Sequence, residues 1–499
     1  MRVRRVMFIV LALVASSRFA SAQTSAPLAR FITDLVAAGA RVDTTASVEL
    51  GDFLVAQGLG GLPAQLNQAI GFQMATNPFD MGLETSKLSF ESVPTQYGFG
   101  PSFTIRAGAL GRGRTSLSFN YQNVSFGWID GIGLKSSDIG FVLRPPASVQ
   151  SRFGRDLVYE SLKLRLSEDV ATFGLVYGVS DRLDVGFGVP LVHIEMEGQV
   201  RSQVFGSTYT LTPRPPTVPA DAHFFDVYPS TPLTADGCSS TALDVQGVDH
   251  APGSVALFDM VELAQRTVTR KCKASGIGDI VGHLRYSVNA SETSALAVSV
   301  NASLPTGDAD NLLGSGGTRV TGSVAWTGRA GRFLPHASAG YTLGIGNTTD
   351  QFNTVAQCTA AAAQAPATRA TTCTEVTSPT PFDLKLPAEI NFAGGTDMVF
   401  YRHLTIAADL FARRISDLNT FRVNPNTDPA LLPGDPRVPG PLLQLKSTGA
   451  TLIVGVAAAQ VALTDRTVLK ANMLIPMGGR VGDGLAGRMS FGAGLGVRY

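Results

Sequence analysis

The sequence predicts an all-β fold: a transmembrane antiparallel β-barrel of about 14 strands, with an N-terminal plug or periplasmic segment that is partly helical. Three observations predict it: alternation of apolar and polar residues, an asymmetry between short and long connections, and an alternating last strand that ends in an aromatic residue. The composition agrees. Of the 499 residues, 53 are Gly and only 16% are charged, against about 25% in typical soluble proteins.

The segment Phe173 to Leu191 (FGLVYGVSDRLDVGFGVPL) shows the alternation most clearly. Its apolar residues occupy odd positions on both sides of Ser180-Asp181-Arg182. A period of two around a short polar turn predicts a β-hairpin. The apolar face would meet a core in a soluble sandwich and lipid in a membrane barrel, where the glycines and Asp184 would face the lumen.

Short turns of this kind alternate along the chain with long polar connections. The short turns lie at 111–114, 180–182, 290–293, 329–332, 401–403 and 464–466. The long stretches are rich in Pro, Gly, Asp, Thr and Ala, and cover roughly 127–155, 196–275, 305–317, 346–381 and 416–446. Outer-membrane barrels have this asymmetry, with short periplasmic turns and longer extracellular loops.

The strand count follows from these turns. Six hairpins supply twelve strands, 87–93 (KLSFESV) a first and the chain terminus a last, which gives fourteen; twelve or sixteen are also compatible. In the last strand Phe491, Leu495 and Tyr499 share one face. A terminal aromatic on such a strand is similar to the signal by which the barrel assembly machinery recognises its substrates. The alternative is a buried last strand in a soluble fold.

One region breaks the parity of the strands. Leu162, Leu164 and Leu166 are even-numbered, whereas the apolar residues from Phe173 onward are odd. A slip of one residue moves every side chain to the opposite face of a sheet. We therefore expect a bulge or break near Ser167–Asp169, which would be a candidate site for a gap in the wall.

The N-terminus has the features of a secretory signal peptide. A basic start, an apolar run and the small residues Ala20-Ser21-Ala22 predict cleavage after residue 22, with an anchored helix as the alternative. Four arginines leave with 1–22, so the net charge falls from +1 to −3 and nothing suggests a nucleic-acid partner. Residues 23–84 have helix-like spacing and are expected to form the plug or periplasmic segment, and 85–499 the barrel.

An exported chain meets an oxidising compartment, so disulfides are plausible for its four cysteines. We favour the pairs Cys238–Cys272 and Cys358–Cys373, because each pair lies within one long polar segment. Neither pair has the C-x-x-C spacing of a zinc site.

The sequence predicts no catalytic residue, no cofactor and no metal. G-x-S-x-G, H-E-x-x-H and C-x-x-C motifs do not occur, so an outer-membrane lipase, the main enzymatic alternative, has no support. Asp308 and Asp310 could hold a cation through oxygen ligands, but a solvated turn is the more usual interpretation.

The parity of the hairpins predicts which charged residues line the lumen. They carry both signs, which favours a plugged or selective pathway over a strongly ion-selective pore. Glu389 and Arg413 fall near each other on one face as a candidate ion pair; mutual neutralisation without a role in transport is the alternative for each charge. The candidates are Arg106, Lys163, Arg165, Asp184, Asp279, His283, Arg285, Glu389, Asp409, Arg413 and Lys470.

Several segments resemble a known family. GVSDRLDVGFGVPLV, GIGDIVGHLRYSV, SLPTGDADNLLGSGGTRV and LPAEINFAGGTDM are similar to outer-membrane transporters of the meta-pathway phenol-degradation family, distant relatives of the long-chain fatty-acid transporter barrels. The resemblance runs from about Asn67 to Tyr499. It implies a fourteen-strand barrel with an N-terminal hatch that passes small hydrophobic or aromatic molecules, and it brings no catalytic motif.

The sequence thus predicts an outer-membrane barrel that acts as a passive transporter or channel. Its expected partners are outer-membrane lipid, small hydrophobic solutes and the barrel assembly machinery. Two alternatives stay open: a structural or adhesive barrel that acts through its long extracellular loops, and a soluble secreted β-protein.

Overall fold

We analysed a computed structural model of the chain. The description covers residues 28–40, 42–44, 62–77, 107–136, 139–143, 157–207, 222–225, 238–245, 247–248, 260–291, 293–345, 354–360, 371–377, 386–401, 404–424, 441–477 and 483–499. The predicted signal peptide and the predicted strand 87–93 lie outside these residues.

Helical structure precedes the strands of the barrel. A 3-10 turn (Leu28–Arg30) leads into helix α1 (Phe31–Ala40), and helix α2 spans Leu62–Ala75. Within the described part of the chain, no helix has the length and apolar character needed to cross a membrane.

The described strands follow in chain order. They are β1 (Val42–Thr44), β2 (Thr115–Ile129), β3 (Ile132–Gly133), β4 (Ile139–Leu143), β5 (Leu157–Gly178), β6 (Leu183–Ser207), β7 (Ala222–Phe225), β8 (Cys238–Val245), β9 (Gly247–Val248), β10 (Met260–Ile277), β11 (Ile280–Ala290), β12 (Ser294–Leu304), β13 (Thr318–Gly328), β14 (Phe333–Ile345), β15 (Thr354–Ala360), β16 (Thr371–Thr377), β17 (Glu389–Tyr401), β18 (Leu404–Asn424), β19 (Leu442–Ala462), β20 (Thr467–Pro476), β21 (Leu485–Gly487) and β22 (Ser490–Arg498).

Twelve of these strands close into an antiparallel barrel. They are β2, β5, β6, β11, β12, β13, β14, β17, β18, β19, β20 and β22. The last strand pairs with the first, Ser116 opposite Arg498, and Thr115 and Tyr499 exchange backbone hydrogen bonds of 3.1 and 2.9 Å. Since the two pair directly, no further strand fits between them, and the barrel has two strands fewer than fourteen.

The turn at 111–114 accounts for part of that difference. It does not join two barrel strands, because the residues before it, 107–110, are not a strand. These residues form a segment inside the barrel instead. Ala107 donates its backbone N–H to Thr327 Oγ1 (3.1 Å), and Leu110 donates its backbone N–H to the Asp184 carboxylate. The other five predicted turns all connect paired barrel strands.

An apolar belt surrounds the barrel. Along each strand buried residues alternate with exposed large apolar ones, which include Phe173, Tyr286, Val298, Tyr341 and Leu469. A closed sheet with an apolar exterior leaves no unpaired edge in lipid, which is how strands cross outer membranes. The fold is therefore that of an outer-membrane β-barrel.

Strand β5 corrects the expected register slip. Its pairing with β2 and with β6 runs without a shift from end to end, so there is no bulge at Ser167–Asp169. Even-numbered residues face inward along the whole described strand, and the outward face changes from polar at Lys163 to apolar at Phe173. The strand leaves the membrane; it does not slip. An interruption occurs instead at Gly278–Asp279, between strands β10 and β11, which pair with consecutive parts of β6; Gly278 N still donates to Pro190 O at 2.9 Å there.

Strands β5, β6 and β10 rise beyond the belt, and we call this part the extension: residues 157–169 of β5, 193–207 of β6 and 260–277 of β10. Strand β8 pairs with β10, and the predicted disulfide Cys238–Cys272 is formed between them. Much of 196–275 is thus sheet, not loop. Cys358 of β15 and Cys373 of β16 are opposite each other in the backbone register, and their pairing stays a prediction.

Candidate functional site

Helix α1 lies against the inner face of the extension. Phe31 and Leu35 are buried beside Leu164, and all three surround Gly198 of β6. A Cβ at Gly198 would lie 2.5 Å from Leu35 Cδ2, so the close approach of the helix requires glycine there. The apolar inner face of β5 is explained by this helix.

Buried charges fix the same helix. Asp34 pairs with Arg270 of β10 at 3.2 Å, and Arg266 donates to the Ala38 carbonyl at 3.2 Å. Glu160, also in the extension, accepts a hydrogen bond from Ser202 Oγ at 2.8 Å. Burial raises the pKa of Glu160 to about 8 and outweighs that hydrogen bond.

Helix α2 is joined to α1 and then to the barrel. Ile32 donates its backbone N–H to Asn67 Oδ1 at 3.0 Å, and Leu485 of β21 donates to Gln73 Oε1 at 2.7 Å. At the C-terminal end of α2, Arg413 of β18 donates to both the carbonyl and the hydroxyl of Thr76, each at 2.9 Å. The described parts of 23–84 therefore contact inward-facing residues of the wall.

Asn77, just after α2, meets a second wall residue. Its amide donates to Glu168 of β5 at 2.8 Å, above the membrane-spanning part of that strand (residues 171–178). Burial raises the pKa of Glu168 to about 8, with a further rise from Asp169, against the lowering effect of the Asn77 hydrogen bond. A protonated Glu168 is thus favoured near neutral pH.

A cavity of about 280 Å³ lies inside the barrel below this end of α2. Its wall combines apolar groups with hydroxyls, amides and the charged side chains of Glu168, Asp279, Arg319, Glu389 and Arg413. The apolar lining includes Val281, Leu312, Leu313, Ala393 and Phe411. The polar lining includes Asn301, Ser303, Thr321, Ser323, Ser338, Thr342 and Asn391. Small-molecule sites have this character, mostly apolar with a few polar groups that fix orientation.

The connection between β12 and β13 folds over the cavity. Asp279, between β10 and β11, accepts hydrogen bonds from Gly307 N (3.1 Å), Ser315 N (2.8 Å) and Ser315 Oγ (2.7 Å). These bonds hold the connection inward, where Leu312 and Leu313 are buried. Leu312 has a φ of 59°, a strained backbone for a γ-branched residue.

The same connection contains the acids considered for a cation. Asp308 accepts from Asp310 N (3.1 Å) and from Asn311 Nδ2 (2.8 Å), so its oxygens cap their own turn. The carbonyl of Asp310 accepts from Ala29 N at 2.9 Å. The geometry is that of a structural turn.

Glu389 is the centre of the charged cluster beside the cavity. It accepts from Arg413 Nε at 2.9 Å, which is the ion pair that the sequence suggested, and from Arg319 at 2.6 Å. Two cations thus surround this carboxylate, and Asp279, which lines the same cavity and acts on Arg319, offsets their remaining charge.

Most of the other predicted lumen residues are buried on the inner face. Asp184 and Arg285 pair at 3.0 Å, and His283 contacts Asn301 at 2.5 Å. Asp409 pairs with His336 at 2.8 Å. Lys470 is also buried on this face, and Asp279 is half-buried between β10 and β11.

Three predicted residues lie elsewhere or outside the described chain. Lys163 and Arg165 are exposed on the outer face of the extension, so their placement in the lumen is wrong; the expected slip in β5 had reversed their parity. Arg165 pairs there with Glu197 at 2.9 Å. Arg106 lies outside the described residues.

Some inward charges were missed from the sequence. Arg319 lies at the start of β13, directly after a glycine-rich connection. No alternating residues precede it there, so the sequence does not indicate whether its side chain faces inward or outward. Glu168 was assigned to the expected break, and His336 follows a proline at the start of β14. Once the register of a neighbouring strand is known, parity alone identifies Arg319 and His336.

His336, Asp397 and Asp409 could together hold a metal ion. Their ligand atoms lie within 4.8 Å of one another and all three are buried. His336 and Asp409 already contact each other at 2.8 Å, and Asp397 and Asp409 each have a further interaction, so the three side chains have partners without an ion.

No protein-family model and no curated protein sequence matches this chain. Among solved structures, an outer-membrane channel from Pseudomonas putida F1 is similar at 12% identity and a TM-score of 0.38, over 78% of this chain and 97% of that one. The toluene transporter TbuX of Ralstonia pickettii is similar at 10% identity and a TM-score of 0.31, over 78% and 90%. The monoaromatic hydrocarbon channel CymD is similar at 8% identity and a TM-score of 0.33, over 85% and 99%.

Proposed function

We propose that this protein is a passive outer-membrane transporter for small hydrophobic or aromatic molecules. The cavity in the barrel interior carries the proposal, because it combines an apolar lining with hydrogen-bonding groups. At about 280 Å³ it exceeds the roughly 150 Å³ that suffices for benzene in an engineered cavity. The sequence resemblance to the meta-pathway phenol-degradation transporters supports the same substrate class.

In this proposal the long connections and the extension face the outside, and the short turns face the periplasm. Residues 1–22 direct export, 23–84 plug the lumen and 85–499 form the barrel, which the assembly machinery recognises through the strand ending in Tyr499. The buried contacts of α1 and α2 with the wall support the plug. The bonds from Arg413 to Thr76 and from Asn77 to Glu168 would hold it closed.

A matched pair of substitutions in β14 tests the pathway. Ser338 lines the cavity, and its neighbour Ala337 is exposed on the lipid face. Ser338→Trp fills the cavity, and we expect it to lower uptake at least tenfold. Ala337→Trp adds the same side chain to lipid and should transport like the wild type. The measurement is the uptake rate of radiolabelled benzene into intact cells that lack other channels of this kind.

Equal uptake by the two variants would overturn the cavity as the pathway. Uptake no faster than in cells without the protein, from a barrel shown to be folded by its heat-modifiable gel mobility, would overturn transport altogether. That second outcome would favour a structural or adhesive role for the extension.

A further inference from the structure

Three cations meet on the outer surface just beyond the apolar belt: Lys135, Arg165 and Arg488. The backbone of Leu134 joins β2 to β5, because Leu134 N donates to Gly127 O (2.9 Å) and Leu134 O accepts from Leu164 N (2.6 Å). Lys135 and Arg165 each follow one of these bonded residues, so they lie side by side.

Arg488 reaches the same place from the other side. Its backbone N–H donates to Ser125 O at 2.5 Å. Its side chain crosses Gly127, where a Cβ would lie 3.2 Å from Arg488 Cγ. Glycine at 127 therefore leaves room for the guanidinium stem, and the cluster is built across β2, β5 and the β21–β22 connection.

The cluster has too little negative charge of its own. Arg165 pairs with Glu197, and none of the residues that the structure describes forms an ion pair with Lys135 or Arg488. Repulsion from Arg488, then burial and Arg165, lower the pKa of Lys135, so the three charges act on one another. Within the described chain, Glu197 is the one carboxylate that acts on the group, so three cations with one counter-ion leave an excess of positive charge that suits an anion.

The depth of the cluster indicates which anion. Phe491, three residues along the chain from Arg488, is an exposed residue of the belt, and Trp128 is exposed beside Gly133; on β5 the belt begins farther from the cluster, since Phe173 lies eight residues from Arg165. Between Arg165 and Phe173, the outer face of β5 is polar. Aromatic residues at this boundary mark the headgroup level of a bilayer. The cations thus lie where lipid phosphates lie.

We propose that Lys135, Arg165 and Arg488 bind the phosphate groups of an anionic glycolipid of the outer leaflet, of the lipid A type. This inference rests on the orientation in the proposed function, with the extension outside. The guanidinium groups of Arg165 and Arg488 can each donate two hydrogen bonds to phosphate oxygens, and the Lys135 ammonium adds a third positive charge. No step of solute transport depends on it.

The test compares two triple variants of the full chain in nanodiscs. Lys135→Gln/Arg165→Gln/Arg488→Gln removes the cluster, and Lys163→Gln/Arg201→Gln/Arg422→Gln removes three exposed cations outside it: Lys163 lies beyond Arg165 on β5, Arg201 beyond Glu197 on β6, and Arg422 on β18. The readout is lipid A retained per barrel by native mass spectrometry, with phosphatidylglycerol as a second probe. We expect the cluster variant to bind lipid A at least tenfold more weakly and the control variant to change less than twofold.

Equal loss in both variants, or no loss in the cluster variant, would overturn the proposal, and so would equal affinity for phosphatidylglycerol. Heat-modifiable mobility checks that each variant is folded. Orientation is tested separately by labelling exposed Gln199→Cys in intact cells with an impermeant maleimide. Labelling without lipid A binding rejects this site alone, whereas absence of labelling rejects the orientation on which both proposals rest.

Discussion

The two halves of strand β5 are the most informative comparison in the molecule. In residues 171–178 the outer face is apolar and the inner face carries Thr172 and glycine; in 157–169 the outer face is charged and the inner face is leucine-rich. The register is the same throughout. What changes is the surroundings: lipid outside and a polar lumen inside in one half, water outside and helix α1 inside in the other.

The comparison teaches that alternation reports a difference between two faces and not which face is inside. A reversal of polarity within one strand indicates either a slip or the edge of the membrane. In this barrel the second explanation applies, and the length of β5, 22 residues against roughly ten needed to span, is the distinguishing sign.

The largest expected effect comes from the inner face of the extension. Leu164→Ala removes a buried side chain from the contact with Phe31 and Leu35, and cavities of this kind cost about 2–5 kcal/mol. The neighbour Lys163→Ala is exposed and should change the free energy of unfolding by less than about 0.5 kcal/mol. Urea unfolding in lipid vesicles measures both. Similar effects would mean that α1 does not pack on this face.

The second largest loss of stability is expected from a charge on the outer face of β5 within the membrane. Phe173→Arg places a charge in the lipid belt, which costs about 2–4 kcal/mol near the bilayer midplane. Ser167→Arg, on the same face of β5 but in the extension, should be nearly neutral because the side chain lies outside the apolar part of the bilayer. If the second variant were destabilised as much as the first, the membrane boundary drawn across β5 would be wrong.

A smaller effect is expected from pH. Glu160 and Glu168 have pKa values raised to about 8, against 4.5 for an unperturbed Glu. The folded state then binds more protons than the unfolded state, so their contribution to stability is complete below about pH 4.5 and is lost as the pH rises through 8. Between pH 6.5 and 7.5, the free energy of unfolding should fall by on the order of 1 kcal/mol for each of the two acids.

The variant Glu160→Gln/Glu168→Gln should remove this slope. Unfolding midpoints at pH 6.5, 7.0 and 7.5 measure it, and a slope as steep as that of the wild type would contradict the assignment. Asp130, whose pKa is raised to about 6 by burial, titrates mainly below this window.

The barrel could be predicted from the sequence because lipid and lumen impose opposite polarities on every spanning strand. The five hairpins, the Glu389–Arg413 pair and the disulfide Cys238–Cys272 followed from that pattern or from simple proximity along the chain. The strand count was less secure, since it depended on segments such as 107–110, which resemble strand residues in composition but lie inside the barrel.

The extension and the roof of the cavity could not be predicted. Polar outer residues made 196–275 resemble a loop, and the apolar inner residues of β5 have a meaning only once α1 is placed against them. The role of Asp279 likewise depends on Gly307 and Ser315, which lie 28 and 36 positions later in the chain. No local sequence pattern specifies the backbone direction of these two residues.

The polarity boundary on β5 also determines the thickness of the apolar belt. Asp169 marks that boundary on the outer face, where it accepts hydrogen bonds from Tyr121 and from Asn123 at 2.7 Å each. The eight spanning residues 171–178 at roughly 3.3 Å each, tilted by about 40°, give an apolar height of roughly 20 Å. Such a barrel matches a thin bilayer and would compress a thicker one around it, so hydrophobic mismatch would disfavour it in any membrane except the thin outer one.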